Sequence, residues 1–169
     1  MGRAESFSPS GPPPLEPSRC RRARPSVCEH RGVSADVSSQ LAERLYDAYN
    51  RHDAAAAAAL YSESGRHREV AQERERSGRR EVEDGLAHFL ASFPDAHWQA
   101  EHRFATAEGV AIAYRLTGTL QRKLGPFEPQ GQQLDLCGVH VLAIENGEIV
   151  RCDDYWDAAT LGRQMSAAR

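Results

Sequence analysis

Residues 134–157 read LDLCGVHVLAIENGEIVRCDDYWD, and this stretch decides the fold class. Two runs rich in apolar residues, 134–144 and 148–156, flank the dipeptide Asn146-Gly147. An Asn-Gly dipeptide between two such runs is a strong local signal of a β-hairpin. We therefore predict two long antiparallel strands joined by a tight turn.

Two further strand-like runs precede this hairpin. They cover residues 98–104 and 110–119 and are separated by Glu108-Gly109. A loop rich in glycine and proline, residues 125–131, leads from the second run to the hairpin. Short runs with turn residues between them indicate neighbouring antiparallel strands. The second half of the chain is thus predicted to form an antiparallel meander.

The first half of the chain is predicted to be largely helical. Ser38 or Ser39 can cap a first helix, and Asp53 can cap a short alanine-rich second helix. An apolar stripe over residues 82–93 marks a third helix, which follows Ser77 and which Pro94 ends.

Three shorter segments complete the predicted order. Residues 65–71 suggest a short strand or extended arm, and the mixed charges of residues 72–77 suggest a solvated loop. Asp157 can cap a last short helix over residues 158–165. Helices followed by a long-stranded sheet are typical of an α+β layer fold.

The composition limits the classes of partner. With 169 residues, 40% of them hydrophobic, the chain suffices for one domain. The net charge of -3 does not favour nucleic acid, and no long apolar run predicts a membrane span. The four cysteines form no CxxC pair, so we expect free thiols in the cytoplasm and no metal or organic cofactor.

Residues 1–36 differ in composition from the rest of the chain. They hold six of the nine prolines and six arginines but few large apolar residues. Such a segment cannot bury enough apolar surface to offset its ordering entropy. We expect a disordered leader here, followed by one domain over residues 37–166, and no export signal.

Several local strings occur in an order that resembles the SnoaL-like polyketide cyclases of the nuclear transport factor two-like superfamily. The strings are Tyr46–Asp53, Ser92–Asp95, Leu116–Thr119, Gly138–Val141, Glu145–Ile149 and Asp153–Asp157. The resemblance covers about residues 38–165. It implies a cone-shaped, curved, antiparallel or mixed sheet packed on three N-terminal helices, with a short C-terminal helix. It also implies a cavity for a small hydrophobic molecule, and a homodimer.

Asp154 is the first candidate site residue. It resembles the acidic residue that such cyclases direct into the pocket from the last strand. Aliphatic surroundings would raise the pKa of its carboxyl group and suit it to proton exchange near neutral pH. The alternative is that Asp153 and Asp154 form a pair at the rim of the domain.

His140 is the second candidate, since it resembles the histidine that accompanies the aspartate in these cyclases. A two-residue turn pairing Glu145 with Glu148 would place His140 opposite Asp153. A three-residue loop with a glycine bulge, pairing Ile144 with Glu148, would place His140 and Asp154 on one face. We predict the second arrangement, although a lone histidine in a strand is often a core residue.

Glu69 is the third candidate, because it falls where ketosteroid isomerase carries its carboxylate base. His67 lies two residues earlier and hence on the same face of a strand. The alternative is a surface ion cluster. Tyr49, or Tyr46 in its place, could present a hydroxyl to the cavity. We also expect aromatic walls there, from Trp98, Tyr114 and Trp156.

The resemblance implies an enzyme that transfers protons on a small, mostly apolar carbonyl compound, of the polyketide cyclase or isomerase type. Asp154 would be the acid/base, His140 would stabilise the oxyanion and Glu69 would assist. One alternative is a non-catalytic protein that binds a hydrophobic ligand or acts as a dimeric accessory. A third possibility is epoxide hydrolysis, for which residues 110–115 supply Arg115 but no carboxylate.

Overall fold

The computed structural model describes residues 34–166, in which four α-helices and six strands follow one another along the chain. The helices are α1 (Ala35–Asn50), α2 (Ala54–Ala58), α3 (Arg79–Ser92) and α4 (Ala158–Ser166). The strands are β1 (Tyr61–Glu69), β2 (Arg74–Ser77), β3 (His97–Ala105), β4 (Gly109–Thr119), β5 (Gln133–Glu145) and β6 (Glu148–Trp156). A leader is expected over residues 1–36, and residues 1–33 of it lie outside the described residues.

The six strands form one mixed sheet in the order β2-β1-β6-β5-β4-β3. Strands β3 to β6 are the predicted antiparallel meander, while β1 runs parallel to β6 and antiparallel to β2. The register shifts once in each of the β1–β6, β3–β4 and β5–β6 pairings. Such bulges bend and twist strands, which gives the curved sheet of the expected α+β cone and confirms that fold class.

The β5–β6 hairpin corrects one expectation. Asn146 and Gly147 both have positive φ, 52° and 80°, and Glu145 pairs with Glu148, so the turn has two residues. The predicted three-residue loop is wrong. A bulge lies further along, because Ile144 pairs with Ile149 but Ala143 pairs with Arg151. This extra residue shifts the register by one and brings His140 opposite Asp154 on the same face of the sheet.

Two helix starts and one loop also differ from expectation. Helix α1 begins at Ala35 behind Ser34, whose side chain accepts a hydrogen bond from the Val37 backbone N–H, so neither Ser38 nor Ser39 is its cap. Helix α3 follows Gly78 rather than Ser77. Residues 74–77, predicted as loop, form strand β2. Their charges occupy both faces of the strand, which removes the polar/apolar alternation that marks most strands.

The core lies between the helices and the inner face of the sheet. On β4 and β5 every second residue is buried, apart from the half-buried Gly138, as the two-residue period of a strand requires. Fully buried side chains from α1, from the residue after α3 and from the sheet meet there, among them Leu45, Phe93, Ile112, Leu142 and Ile149. None of the helices in residues 34–166 is long and apolar enough to cross a membrane.

Candidate active site

A cavity of about 360 Å³ opens between the inner sheet face and helices α1 and α3. The turn at residues 124–127 forms part of its wall. Small-molecule sites in proteins commonly have volumes of a few hundred Å³. The sequence-predicted residues that line it are Tyr49, His67, Glu69, Trp98, Tyr114, His140, Asp154 and Trp156.

Asp154 on β6 faces this cavity, and its side chain is 14% exposed. Its Oδ1 accepts a hydrogen bond of 2.7 Å from the Tyr114 hydroxyl and lies 3.5 Å from His140 Nε2. Asp153 faces the opposite side of the sheet, where it lies 3.1 Å from both Arg68 and Arg151. The two neighbouring aspartates are therefore not a rim pair.

The environment of Asp154 sets its charge. Burial acts to raise the pKa of Asp154, but His140, His67 and the Tyr114 hydroxyl together outweigh it and hold that pKa below its ordinary value. The expectation of a raised pKa is therefore wrong, because the cavity supplies hydrogen-bond donors where only aliphatic walls were assumed. Asp154 is a carboxylate at neutral pH and can accept a proton.

His140 on β5 is the cross-strand neighbour of Asp154 and is 2% exposed. Its Nδ1 is 2.9 Å from the Tyr46 hydroxyl, and its ring stacks on Tyr114 with centroids 4.5 Å apart. Because Nε2 faces a carboxylate, Nε2 carries a proton. Burial raises the pKa of Tyr46 well above its usual value, so this tyrosine stays protonated and can donate to Nδ1 of His140.

His67 on β1 has a different environment. Its Nδ1 lies 3.0 Å from the hydroxyl of Tyr61, whose pKa is raised by burial, so the tyrosine is protonated and donates. Burial lowers the pKa of His67 to about 4, which makes the imidazole neutral at pH 7. With Nδ1 accepting, the proton is on Nε2. His67 is thus a neutral hydrogen-bond donor in the cavity wall.

Glu69 lines the cavity beside Asp154, its partner in the parallel β1–β6 pairing. Arg76 Nη1 is 2.6 Å from Glu69 Oε1, and the two side chains are only 13% and 21% exposed. This ion pair occupies the carboxylate and disfavours the expected role as an assisting base. Arg76 was missed by sequence reasoning, although arginines two residues apart, Arg74 and Arg76, indicate a common strand face.

Two further residues support the aspartate. Tyr114, expected only as a wall, is a hydrogen-bond donor to Asp154. Its ring lies across Gly138, where an added Cβ would be 2.4 Å from the Tyr114 hydroxyl oxygen. Tyr46, weighed as the alternative to Tyr49, is the tyrosine that contacts His140 by a hydrogen bond. Tyr49 instead packs on Trp98, with ring centroids 5.0 Å apart.

Metal ligation and the epoxide hydrolase arrangement have no basis among these side chains. Within residues 34–166, no three His, Cys, Asp or Glu side chains are grouped so as to hold a metal ion. Arg115 points to the outer face of the sheet, where its Nε is 2.6 Å from Asp135. It therefore does not flank Asp154.

A curved mixed sheet that closes with helices over a cavity defines a nuclear transport factor two-like protein. The chain belongs to the SnoaL-like polyketide cyclase family, whose model matches residues 39–165. This confirms the family resemblance seen in the local strings.

Solved structures support the same fold. A candidate SnoaL-like polyketide cyclase from Jannaschia sp. CCS1 superposes with a TM-score of 0.73 at 17% identity, covering 79% of this chain and 94% of that one. AclR, a candidate hydroxylase from Streptomyces galilaeus, gives 0.69 at 22% identity, with coverages of 78% and 86%. A candidate polyketide cyclase from Silicibacter sp. TM1040 gives 0.67 at 24%, with coverages of 78% and 97%. No curated protein matches the chain.

Proposed function

We propose that the protein is a cofactor-independent enzyme that removes a proton from the carbon beside a carbonyl group of a small hydrophobic compound. Ring closure or double-bond isomerisation would follow from this step. The proposal is carried by one observation, the ionised Asp154 carboxylate in a largely apolar cavity with its Oδ1 held by Tyr114.

Asp154 is the proposed base. Among the described residues, its polar contacts with Tyr114 and His140 are both made through Oδ1. Oδ2 is therefore available to a substrate C–H group. The C–H bond breaks, the proton moves to Oδ2, and the electron pair forms an enolate. The enolate carbon then attacks a second carbonyl group, whose oxygen takes up the proton from Asp154, or Asp154 returns the proton to a different carbon of the conjugated enolate.

The enolate oxygen requires a hydrogen-bond donor. His67 fits this role, because its Nε2–H lies in the cavity wall and Nδ1 is held by Tyr61. His140 is deeper, and both of its nitrogens face protein groups, Tyr46 and Asp154. We therefore assign His140 to orienting Asp154 and His67 to the oxyanion. A donor of this kind lowers the activation barrier by about 3 kcal/mol.

Hydrogen–deuterium exchange tests this proposal without knowledge of the substrate. A panel of aromatic ketones and 1,3-diketones is incubated with the protein in D₂O, and loss of the α-proton signal is followed by NMR. We expect Asp154→Asn to lower the catalysed rate by roughly 10²–10⁴-fold. Asp84→Asn is the matched control, since Asp84 is 74% exposed on α3. Equal rates for the two variants would remove the basis of the proposal.

One observation favours the non-catalytic alternative, binding of a hydrophobic ligand. The lowered pKa of Asp154 makes it a weaker base than an isolated buried carboxylate would be. Ligand binding by the wild-type protein, with no exchange above the uncatalysed rate for any bound carbonyl compound, would support this alternative. Epoxide hydrolysis has no such support, since Arg115 pairs with Asp135 on the outer face.

We further propose a homodimer formed through the outer face of the sheet. Phe104 on β3 is 74% exposed there. Its cross-strand neighbour on β4 is Ala111, and the neighbour of Ala111 on β5 is Val141. Tyr155 is 43% exposed beside Val139. Contiguous apolar surface of this kind is typical of protein interfaces. Light scattering on the eluting peak should give a dimer, and Phe104→Asp should give a monomer. Val37→Asp, at an exposed apolar position on α1, should not change the mass.

A cytoplasmic location stays a proposal as well. Its support among residues 34–166 is that Cys137 is an exposed free thiol. Exposed thiols are more common in reducing compartments.

A further inference from the structure

The cavity has one polar end. Strand β2 contributes Arg74 and Arg76, and strand β1 contributes Glu69. Most of the remaining wall is apolar, with Phe89 from α3 and Phe127 from the turn as examples. The cavity therefore suits a molecule with an apolar body and a polar group at one end.

A glycine in helix α3 leaves the space that Arg76 occupies in the cavity wall. Gly85 lies inside α3, where glycine is among the least favourable residues. A Cβ added at Gly85 would lie 2.0 Å from Arg76 Nε, so the arginine side chain fills the space that the glycine leaves. The guanidinium group is thereby fixed at the cavity, with its side chain only 13% exposed.

A row of ionisable residues crosses the sheet at this level. Arg74 pairs with Glu69 on β1, Glu69 pairs with Asp154 on β6, and Asp154 pairs with His140 on β5. Neighbouring strands are about 4.8 Å apart, so the backbones of Arg74 and Asp154 are separated by about 10 Å. Arg74 and the proposed base Asp154 thus lie one small molecule apart.

At the polar end itself, two guanidinium groups face one carboxylate, Glu69, which is paired with Arg76. The next carboxylate, Asp154, lies one strand further on and is held by Tyr114. Within residues 34–166, Arg74 makes no ion pair, and its strand neighbour Glu75 lies on the other face of β2, 3.8 Å from Arg66. A ligand anion can therefore be bound by Arg74 together with the free N–H groups of Arg76.

We propose that this polar end, formed by Arg74, Arg76 and Glu69, binds the carboxylate of an amphipathic acid. The planar guanidinium fork matches a carboxylate with two parallel hydrogen bonds. The inference rests on the proposed function for one point, that the reacting carbon lies near Asp154. The substrate class is accordingly an apolar carbonyl compound that carries a carboxylate several bonds from the reacting carbon.

Binding of two matched probes to the full-length protein tests this inference. The probes are 3-cyclohexylpropanoate and its uncharged carboxamide, which have the same shape. Isothermal titration calorimetry gives the affinities. Fluorescence locates the binding, since the only two tryptophans of the chain, Trp98 and Trp156, both line the cavity. We expect the carboxylate to bind about tenfold more tightly at low salt, with the preference shrinking as salt is added.

Three variants make the test specific. Arg74→Gln should remove most of the preference for the carboxylate and leave carboxamide affinity unchanged. Arg66→Gln is the matched control, because Arg66 is exposed on β1 and does not line the cavity. Asp154→Asn should keep the preference, whatever the outcome of the exchange experiment, so failure of the proposed function and failure of this inference are distinguishable. Equal affinity for the two probes, equal effects of the two arginine variants, or no binding of either probe at millimolar concentration would overturn the inference.

Discussion

Asp154 and Glu69 are neighbouring carboxylates on adjacent strands, and they face the same cavity with different partners. Asp154 Oδ1 accepts a hydrogen bond from the Tyr114 hydroxyl and lies 3.5 Å from His140 Nε2. Glu69 is held by the cationic Arg76 at 2.6 Å. A carboxylate whose polar contacts are made through one oxygen can still exchange a proton through the other. A carboxylate in a half-buried ion pair is better suited to fixing charge than to moving it.

The largest expected effect separates these two carboxylates by activity. Asp154→Asn should lower the α-proton exchange rate by about 10³-fold, because it removes the base. Glu69→Gln should lower it less than about fivefold, because Glu69 acts only through Arg76. Rates are measured by NMR on the same carbonyl compound. If Glu69→Gln proved the more damaging variant, the assignment of the base would be reversed.

A second prediction concerns pH and the neutral His67. Its pKa in the folded protein is about 4, against an ordinary value of 6.5, so the unfolded chain binds the proton more tightly. The free energy of unfolding therefore falls as pH drops from about 6.5 to about 4, by up to about 3 kcal/mol. His67→Gln should remove this part of the pH dependence, as urea unfolding at pH 7 and pH 4 can measure. The two proteins losing equal stability over this range would contradict a neutral His67.

A third prediction tests how Tyr114 holds Asp154. Tyr114→Phe removes a hydrogen bond that lowers the pKa of Asp154, so this pKa should rise and the acidic limb of the pH–rate profile should move to higher pH. Gly138→Ala should have a similar effect, since the added methyl group displaces the Tyr114 ring. The same hydrogen bond also fixes the position of the carboxylate, so we expect a net loss of roughly 10-fold to 30-fold in exchange rate at pH 7 for either variant, in spite of the stronger base. A lower rate with an unshifted profile would indicate a structural role only.

Much of the fold could be predicted from the sequence, because its signals are local. The two-residue period of β4 and β5 and the Asn146-Gly147 turn define the meander without reference to the rest of the chain. Strand β2 escaped prediction because charged residues occupy both of its faces. The bulge in β6 escaped it too, since the residues around Val150 carry no turn signal.

The charge state of the site could not be predicted in the same way. The pKa of Asp154 depends on Tyr114, 40 residues away, and the position of His140 depends on Tyr46, 94 residues away. Neither of these two contacts can be predicted from the periodic pattern of the sequence. The glycines at 85 and 138 carry a signal that could have been used, because glycine inside a helix or strand often marks a close approach of another group.

The smallest expected effect concerns ligand binding at the polar end of the cavity, where Glu69 is paired with Arg76. The variant that tests it is Gly85→Ala. The added methyl group must displace the Arg76 side chain, which weakens the hold on Glu69 and on a ligand carboxylate. We expect binding of 3-cyclohexylpropanoate to weaken about threefold, less than for Arg74→Gln, because the displaced arginine keeps its charge near the cavity. The exchange rate should stay within about twofold, since Asp154, Tyr114 and His140 do not contact this helix position. Ala87→Gly, at a neighbouring helix position outside the cavity wall, is the control for altered helix propensity. A Gly85→Ala variant that lost exchange activity as fully as Gly138→Ala would show that the two carboxylates act as one unit rather than two.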